Sequence, residues 1–263
     1  MKDKSWTLIS AELVNTKNDD SVNLCFAVTA NDEKVLKESV QEFLSIDELI
    51  RFKAFTSERR VLSFLRGRFA AKTALNSLSG VKLSSLHIEP GVFGQPVVQC
   101  LTKQSLPLHI SLSHIDKGAV AVASSKIYPL ALDLECISER NTEAMASQMT
   151  EIEMEWVNSL DQLPVVSVLT LLWTAKEAMS KLLCAGLAVD FKLLALKDLK
   201  LDDLNVRLTA KFEYFSHVKV EAVQDGVQAF AVVYPAITRF AQSSLLLKIL
   251  DALGQAQNVK QLT

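Results

Sequence analysis

SERRVLSFLRGRFAAKTALNSLS, residues 57–79, decides how the rest of the chain reads. It opens with a serine able to cap and a glutamate in the first turn. Val61, Leu62, Leu65, Phe69 and Leu75 then recur at helical spacing, and Gly80 stops the pattern. The spacing predicts one long amphipathic helix. Residues 164–187, PVVSVLTLLWTAKEAMSKLLCAGL, repeat it: Val61, Leu62, Leu65 and Leu75 match Val168, Leu169, Leu172 and Leu182 at one constant offset. A turn leading into an apolar strand follows each helix, Asp116 to Ala123 in the first case and Asp225 to Val233 in the second. Either apolar segments resemble one another by chance, or the chain carries an internal duplication. Duplication predicts an α+β fold with a pseudo-two-fold arrangement of two similar halves, each a small antiparallel sheet packed on a long helix. The halves run over residues 1–127 and 128–263, with the boundary near Lys126 to Pro129. A cleft between two such halves is a favoured place for a ligand.

The composition narrows the functional classes. A chain of 263 residues with a formal net charge of -2 lacks the strongly basic surface that a nucleic-acid partner requires. Cys25, Cys100, Cys136 and Cys184 are dispersed with no pair at metal spacing, which fits a reducing compartment. The first ten residues, MKDKSWTLIS, lack the apolar core of a signal peptide, so the expected location is the cytoplasm. The most apolar stretch, Val165 to Val189, carries Lys176, Glu177 and Lys181 at its centre. Charges there are expensive in a bilayer, so the expectation is a buried core helix and no membrane partner.

Those same charges are the first candidates for chemistry. On a helix, Trp173, Glu177 and Lys181 form one stripe with Lys176 beside it. The bland alternative is an exposed ion pair four residues apart, worth about 0.2–0.5 kcal/mol. Apolar residues nearly all round the helix place the charges in a cleft instead, where burial shifts pKa values. In the strand-like run Tyr128 to Ile137, Ala131, Asp133 and Glu135 share one face, with the carboxylates about 7 Å apart along the strand. They form either a solvated strand face or a site for a hard, oxygen-preferring cation such as Mg²⁺.

Upstream, His109-Ile110-Ser111-Leu112-Ser113-His114 alternates, with Ser111 and Ser113 on one side and His114 on the other. Hydroxyls and a histidine near a strand end make a phosphate grip, or else a satisfied structural histidine. No second His or Cys stands at zinc-ligand spacing. The first long helix aligns Arg60, Arg68 and Lys72, either as a phosphate-binding stripe or as a solvated basic face. Gly94-Gln95-Pro96 reads as a turn before a short strand.

The order SLSH (111–114), ALDLE (131–135), a downstream glutamate and WTAKEAMSK (173–181) resembles the 4′-phosphopantetheinyl transferases of the larger, surfactin-synthetase-activating type. The resemblance runs from about Ile50 to Phe191, and that family is built as pseudo-dimers of two α+β halves. It implies that Asp133, Glu135 and Glu153 bind Mg²⁺ with the pyrophosphate of coenzyme A, with Glu151 and Glu155 as neighbours able to replace Glu153. It implies that Glu177 is the base toward the serine of an apo acyl or peptidyl carrier protein, and that Lys176 and Lys181 stabilise phosphate charge. Ser113, His114, Arg60, Arg68 and Gln95 fall on the nucleotide side. The implied reaction transfers the phosphopantetheine arm and releases 3′,5′-ADP, in a monomer that is itself a pseudo-dimer. Three positions depart from the pattern: Ala131 replaces a glycine, Gln95 the lysine of a GKP motif, and Ile115 a serine. Retention of the acidic and lysine set speaks against a non-catalytic binding module, and two carboxylates are few for a two-metal phosphodiesterase.

Overall fold

The computed structural model describes residues 6–30, 33–102, 106–204 and 206–258. Strands β1 (Trp6–Asn15) and β2 (Ser21–Thr29) lead into helices α1 (Glu33–Glu38), α2 (Val40–Phe43), α3 (Ile46–Lys53) and α4 (Glu58–Ser79). Strands β3 (Leu86–Pro90), β4 (Pro96–Cys100), β5 (Leu108–Ile115), β6 (Gly118–Ser125) and β7 (Ala131–Cys136) follow. Next come α5 (Thr142–Ser147), α6 (Glu151–Asn158) and α7 (Val165–Leu182). The chain closes with β8 (Leu196–Leu201), β9 (Arg207–Phe212), β10 (Val218–Gln224), β11 (Gln228–Pro235), β12 (Thr238–Phe240) and α8 (Leu245–Asn258).

The two long helices form where apolar periodicity puts them. α4 ends because Gly80 takes the left-handed conformation (φ +67°) and donates its N–H to Asn76 O at 2.8 Å. α7 has no glycine at the matching place, and Cys184 adopts the left-handed conformation itself, at φ +55°. The strands expected after the Asp116 and Asp225 turns are β6 and β11, each buried along seven successive residues. Such continuous burial follows from strands covered on both faces.

Two five-stranded antiparallel sheets result, in the orders β12-β1-β2-β6-β5 and β7-β11-β10-β9-β8, beside a β3-β4 hairpin. The expected mixture of long helices and antiparallel sheet is what the structure shows. α4 lies against β2, β5 and β6, while α7 lies against β7, β10 and β11. α8 covers strands of both sheets, and its Leu246, Ile249, Leu250 and Leu253 share one core with Leu24, Phe26, Val122, Leu132 and Phe230. The anticipated boundary at residues 127/128 falls in the link between β6 and β7. Downstream of it, β12 returns to pair with β1, Leu13 opposite Phe240, and so completes the first sheet from the far end of the chain.

The sheets meet edge to edge, β5 beside β7, through side chains. Ser111 Oγ accepts the Leu132 N–H at 3.1 Å, and Ser113 Oγ donates to Asp133 Oδ1 at 2.8 Å. Among the described residues no helix is long and apolar enough to cross a membrane. α7, the most apolar, is buried against its sheet, with the charges at its centre engaged by protein groups or turned to a cleft.

Candidate active site

The seam between β5 and β7 opens into a cleft of about 610 Å³. Its floor is Ser113 and Asp133, its second-sheet wall carries Glu135, Glu177 and Lys181, and its other walls carry Arg51, Arg68, Gln95 and His114. A shallower alcove of about 250 Å³ continues along α4 and adds Arg60, Phe64 and Ser63 to Arg51, Arg68 and His114. Strand alternation turns Asp133 to the cleft while Leu132 and Leu134 go to the core beneath α8. Helical spacing aligns Glu177 and Lys181, as their positions predicted.

Asp133 is the centre of this arrangement and is only 3% exposed. Its Oδ1 accepts from Ser113 Oγ and, at 2.6 Å, from Lys181 Nζ, which also donates to Leu112 O at 3.3 Å. Its Oδ2 is buried and meets no donor. Burial pushes the Glu135 carboxyl up to about 7, helped by the negative charges of Asp133 and Glu177 and opposed by Lys181. Glu177 is likewise pushed up to about 7 by burial and by Asp133. His114 stands at the mouth with Nε2 2.6 Å from Ser63 Oγ. Desolvation and the nearby Lys181 ammonium hold its imidazole below the usual range.

Among the described residues no three His, Cys, Asp or Glu side chains are drawn together as a ready-made ligand cluster. The donor chemistry nevertheless fits a hard cation. The candidates are all oxygens, one carboxylate oxygen is buried without a donor, and two neighbouring carboxyls are raised first by burial and then by a mutual repulsion that a cation would relieve.

Two residues expected in the site are not brought to it. Glu153 is 0% exposed and sits inside its own helix cap, where it accepts the Thr150 N–H at 2.7 Å while Thr150 Oγ1 accepts the Glu153 N–H. It also accepts the Leu196 N–H at 2.8 Å and pairs with Lys176 Nζ at 2.7 Å. Lys176, also 0% exposed, spends its other donors on Phe191 O and Gln148 O. One step along a helix rotates a side chain by roughly 100°, so Lys176 points beneath α7 while Glu177 faces the cleft. Glu153 is therefore engaged by Lys176 and the backbone, apart from Asp133 and Glu135, and Glu151 and Glu155 lie exposed outside the cleft lining.

The first half contains the same device. Glu48 caps at Ser45, pairs with the fully buried Lys72 and accepts the Ile88 N–H at 3.1 Å, while Lys72 donates to Phe43 O at 2.8 Å. Lys72 is thus removed from the basic stripe, and desolvation brings it down to about 8. Arg68 remains at the cleft, its guanidinium 4.9 Å from the centre of the Phe64 ring. Gln95 lines the cleft too, but its Oε1 accepts the Phe93 N–H at 3.0 Å, so it also steadies its own turn. Arg51 and Ser63 are cleft residues that the sequence motifs missed. Arg51 sits in the last turn of a capped helix, and Ser63 stands one turn after Arg60 on α4; only their proximity to His114 marks them.

A family model described as the 4′-phosphopantetheinyl transferase superfamily matches residues 129–234, the span from just before β7 into β11. A holo-[acyl-carrier-protein] synthase of Bacillus velezensis is 36% identical over 87 residues, 31% of this chain and 71% of that protein. One from Staphylococcus carnosus is 29% identical over 91 residues, 32% of this chain and 75% of its own length. The 4′-phosphopantetheinyl transferase gsp of Aneurinibacillus migulanus is 24% identical over 138 residues, 52% of this chain and 55% of that protein.

Proposed function

The chain belongs to the 4′-phosphopantetheinyl transferase superfamily, and from that premise we propose that it moves the 4′-phosphopantetheine arm of coenzyme A to a serine of an apo acyl or peptidyl carrier protein, releasing 3′,5′-ADP. The observation that carries this is the meeting of Asp133 and Glu135 from β7 with Glu177 and Lys181 from α7 in one cleft, opposite the arginines of α3 and α4. A pyrophosphate needs positive charge along its length, and a hydroxyl nucleophile needs a base. Both are supplied there.

Asp133 and Glu135 would hold Mg²⁺. When bound, the ion supplies charge neutralisation on phosphate oxygens. Lys181, fixed on Asp133, keeps an ammonium at the pyrophosphate position, and Arg51, Arg60, Arg68, Ser113 and His114 take the nucleotide end, with Gln95 offering an uncharged amide. Glu177 accepts the proton of the carrier serine as the serine Oγ–phosphorus bond forms and the bond to the bridging oxygen of the pyrophosphate breaks. A carboxyl near 7 suits a base at neutral pH better than an ordinary one, and such proton removal contributes about 10²–10⁴ in rate.

The same premise extends to the chain as a whole. Residues 1–127 and 128–263 are copies of one unit related by a pseudo-two-fold axis, and the protein acts as a monomer in the cytoplasm. Support comes from the paired caps: Ser45, Glu48, Lys72 and Ile88 repeat as Thr150, Glu153, Lys176 and Leu196. The test of function is to incubate the protein with coenzyme A, Mg²⁺ and several apo carrier proteins and to weigh the carriers. A gain of one phosphopantetheine is expected, and no gain on any carrier would overturn the proposal.

A further inference from the structure

Glu48 does more than cap α3. Its Oε2 accepts the Ser45 N–H at 2.9 Å and bonds Lys72 Nζ, while its Oε1 accepts the Ile88 N–H and stands 3.2 Å from Arg68 Nε. One carboxylate, 1% exposed, therefore ties together α3, α4 and β3. Each of these elements supplies a wall of the cleft: Arg51 from α3, Arg68 from α4, and Glu89 and Pro90 from β3.

Comparison with the second half isolates what is special. Glu153 binds the equivalent cap, the equivalent lysine and the equivalent strand N–H, and among the described residues its ion pairing stops there. Glu48 has one further partner, Arg68, whose guanidinium is also held over Phe64. With both cations protonated, Glu48, Lys72 and Arg68 carry one net positive charge, so the cluster still attracts an anion. A free arginine side chain samples many rotamers, and fixing it during folding removes the cost of ordering it from binding.

We infer that Glu48 is a positioning residue for the anionic end of the substrate, acting by aiming Arg68 into the cleft. The inference rests on the assignment of coenzyme A to this cleft, and its test separates the two. Coenzyme A binding by calorimetry and steady-state transfer are compared for wild type, Glu48→Gln, Arg68→Met and Glu48→Gln/Arg68→Met. Glu48→Gln and Arg68→Met are each expected to raise Kd and KM for coenzyme A about tenfold, the scale of one charge-assisted hydrogen bond, with kcat within about twofold. The double variant should bind no more weakly than Arg68→Met alone, because Glu48 acts through Arg68.

Since Glu48→Gln leaves Lys72 buried without its partner, Glu48→Gln/Lys72→Met removes both and preserves the fold while still releasing Arg68. It too should bind about tenfold more weakly. Effects of Glu48→Gln and Arg68→Met that multiply, or a folded Glu48→Gln/Lys72→Met protein that binds like wild type, would overturn the inference alone. A wild-type protein that binds no coenzyme A would overturn the functional assignment and this inference with it.

Discussion

Replacing Lys176 by methionine separates a catalytic lysine from a structural one. Lys176 Nζ lies 2.7 Å from Glu153 Oε2, 3.0 Å from Phe191 O and 3.2 Å from Gln148 O, with both members of the ion pair fully buried. Methionine keeps most of the stem volume, so little cavity cost enters. What is lost is the charge, which leaves a buried carboxylate and two carbonyls without it. Breaking one side of a buried pair costs about 3–5 kcal/mol. The Thr150 and Leu196 N–H groups still serve Glu153, which puts the expected loss near the lower end, about 3 kcal/mol. At roughly 2–4 °C per kcal/mol for a chain of this size, Tm should fall by about 6–12 °C in differential scanning calorimetry. Glu153→Gln/Lys176→Met, which removes both charges, should recover most of that fall. A Lys176→Met protein that melts within about 2 °C of wild type yet transfers nothing would refute the structural assignment and return Lys176 to the chemistry.

Glu177→Gln should retain coenzyme A binding but slow transfer by about 10²–10⁴, and unchanged turnover would remove it as the base. Asp133→Ala should abolish Mg²⁺-dependent coenzyme A binding as well as transfer, since it deletes the anchor of Lys181 along with an oxygen proposed to hold the ion; retention of Mg²⁺ dependence in calorimetry would show the ligands misassigned. Because Glu135 and Glu177 are both raised to about 7, each is largely protonated below that pH, and kcat/KM should climb as pH rises through about 7. A carboxyl raised on folding binds more protons in the native than in the unfolded state between its ordinary value and about 7, so its contribution to stability declines as pH rises through that window. Mg²⁺ should therefore raise Tm more at pH 8 than at pH 6, and equal shifts would count against a carboxylate site.

The parts of the fold that could be read from sequence were those set by local periodicity. Apolar residues at helical spacing marked α4 and α7, and runs after Asp-containing turns marked β6 and β11. Asp133, Glu177 and Lys181 were legible for a related reason: a charge inside an apolar run has to be turned to a cleft or paired. Glu153 misled because a carboxylate near a helix start serves equally as ligand or cap. The Thr150-x-x-Glu153 spacing is a capping-box signature, and its role as a cap could have been argued from that alone. Lys176 and Lys72 misled because helical spacing gives the direction of a side chain but not what covers it, and the packing of α6 and α3 buries these two lysines against Glu153 and Glu48. Arg51 and Ser63 reach the cleft through long-range packing, for which no local pattern exists.

The return of β12 to β1 sets an order on how the chain can be built. During synthesis the α4 helix and its neighbouring strands leave the ribosome early, yet one edge of β1 keeps its backbone groups unpaired until Thr238 to Phe240 have emerged. The first half thus spends most of translation with an open flank that invites pairing to another nascent chain. It follows that a fragment ending at residue 127 can complete its sheet only when the second fragment brings Thr238 to Phe240 back to β1. A cut placed after Phe240 respects the sheet; a cut at the apparent midpoint removes its last strand.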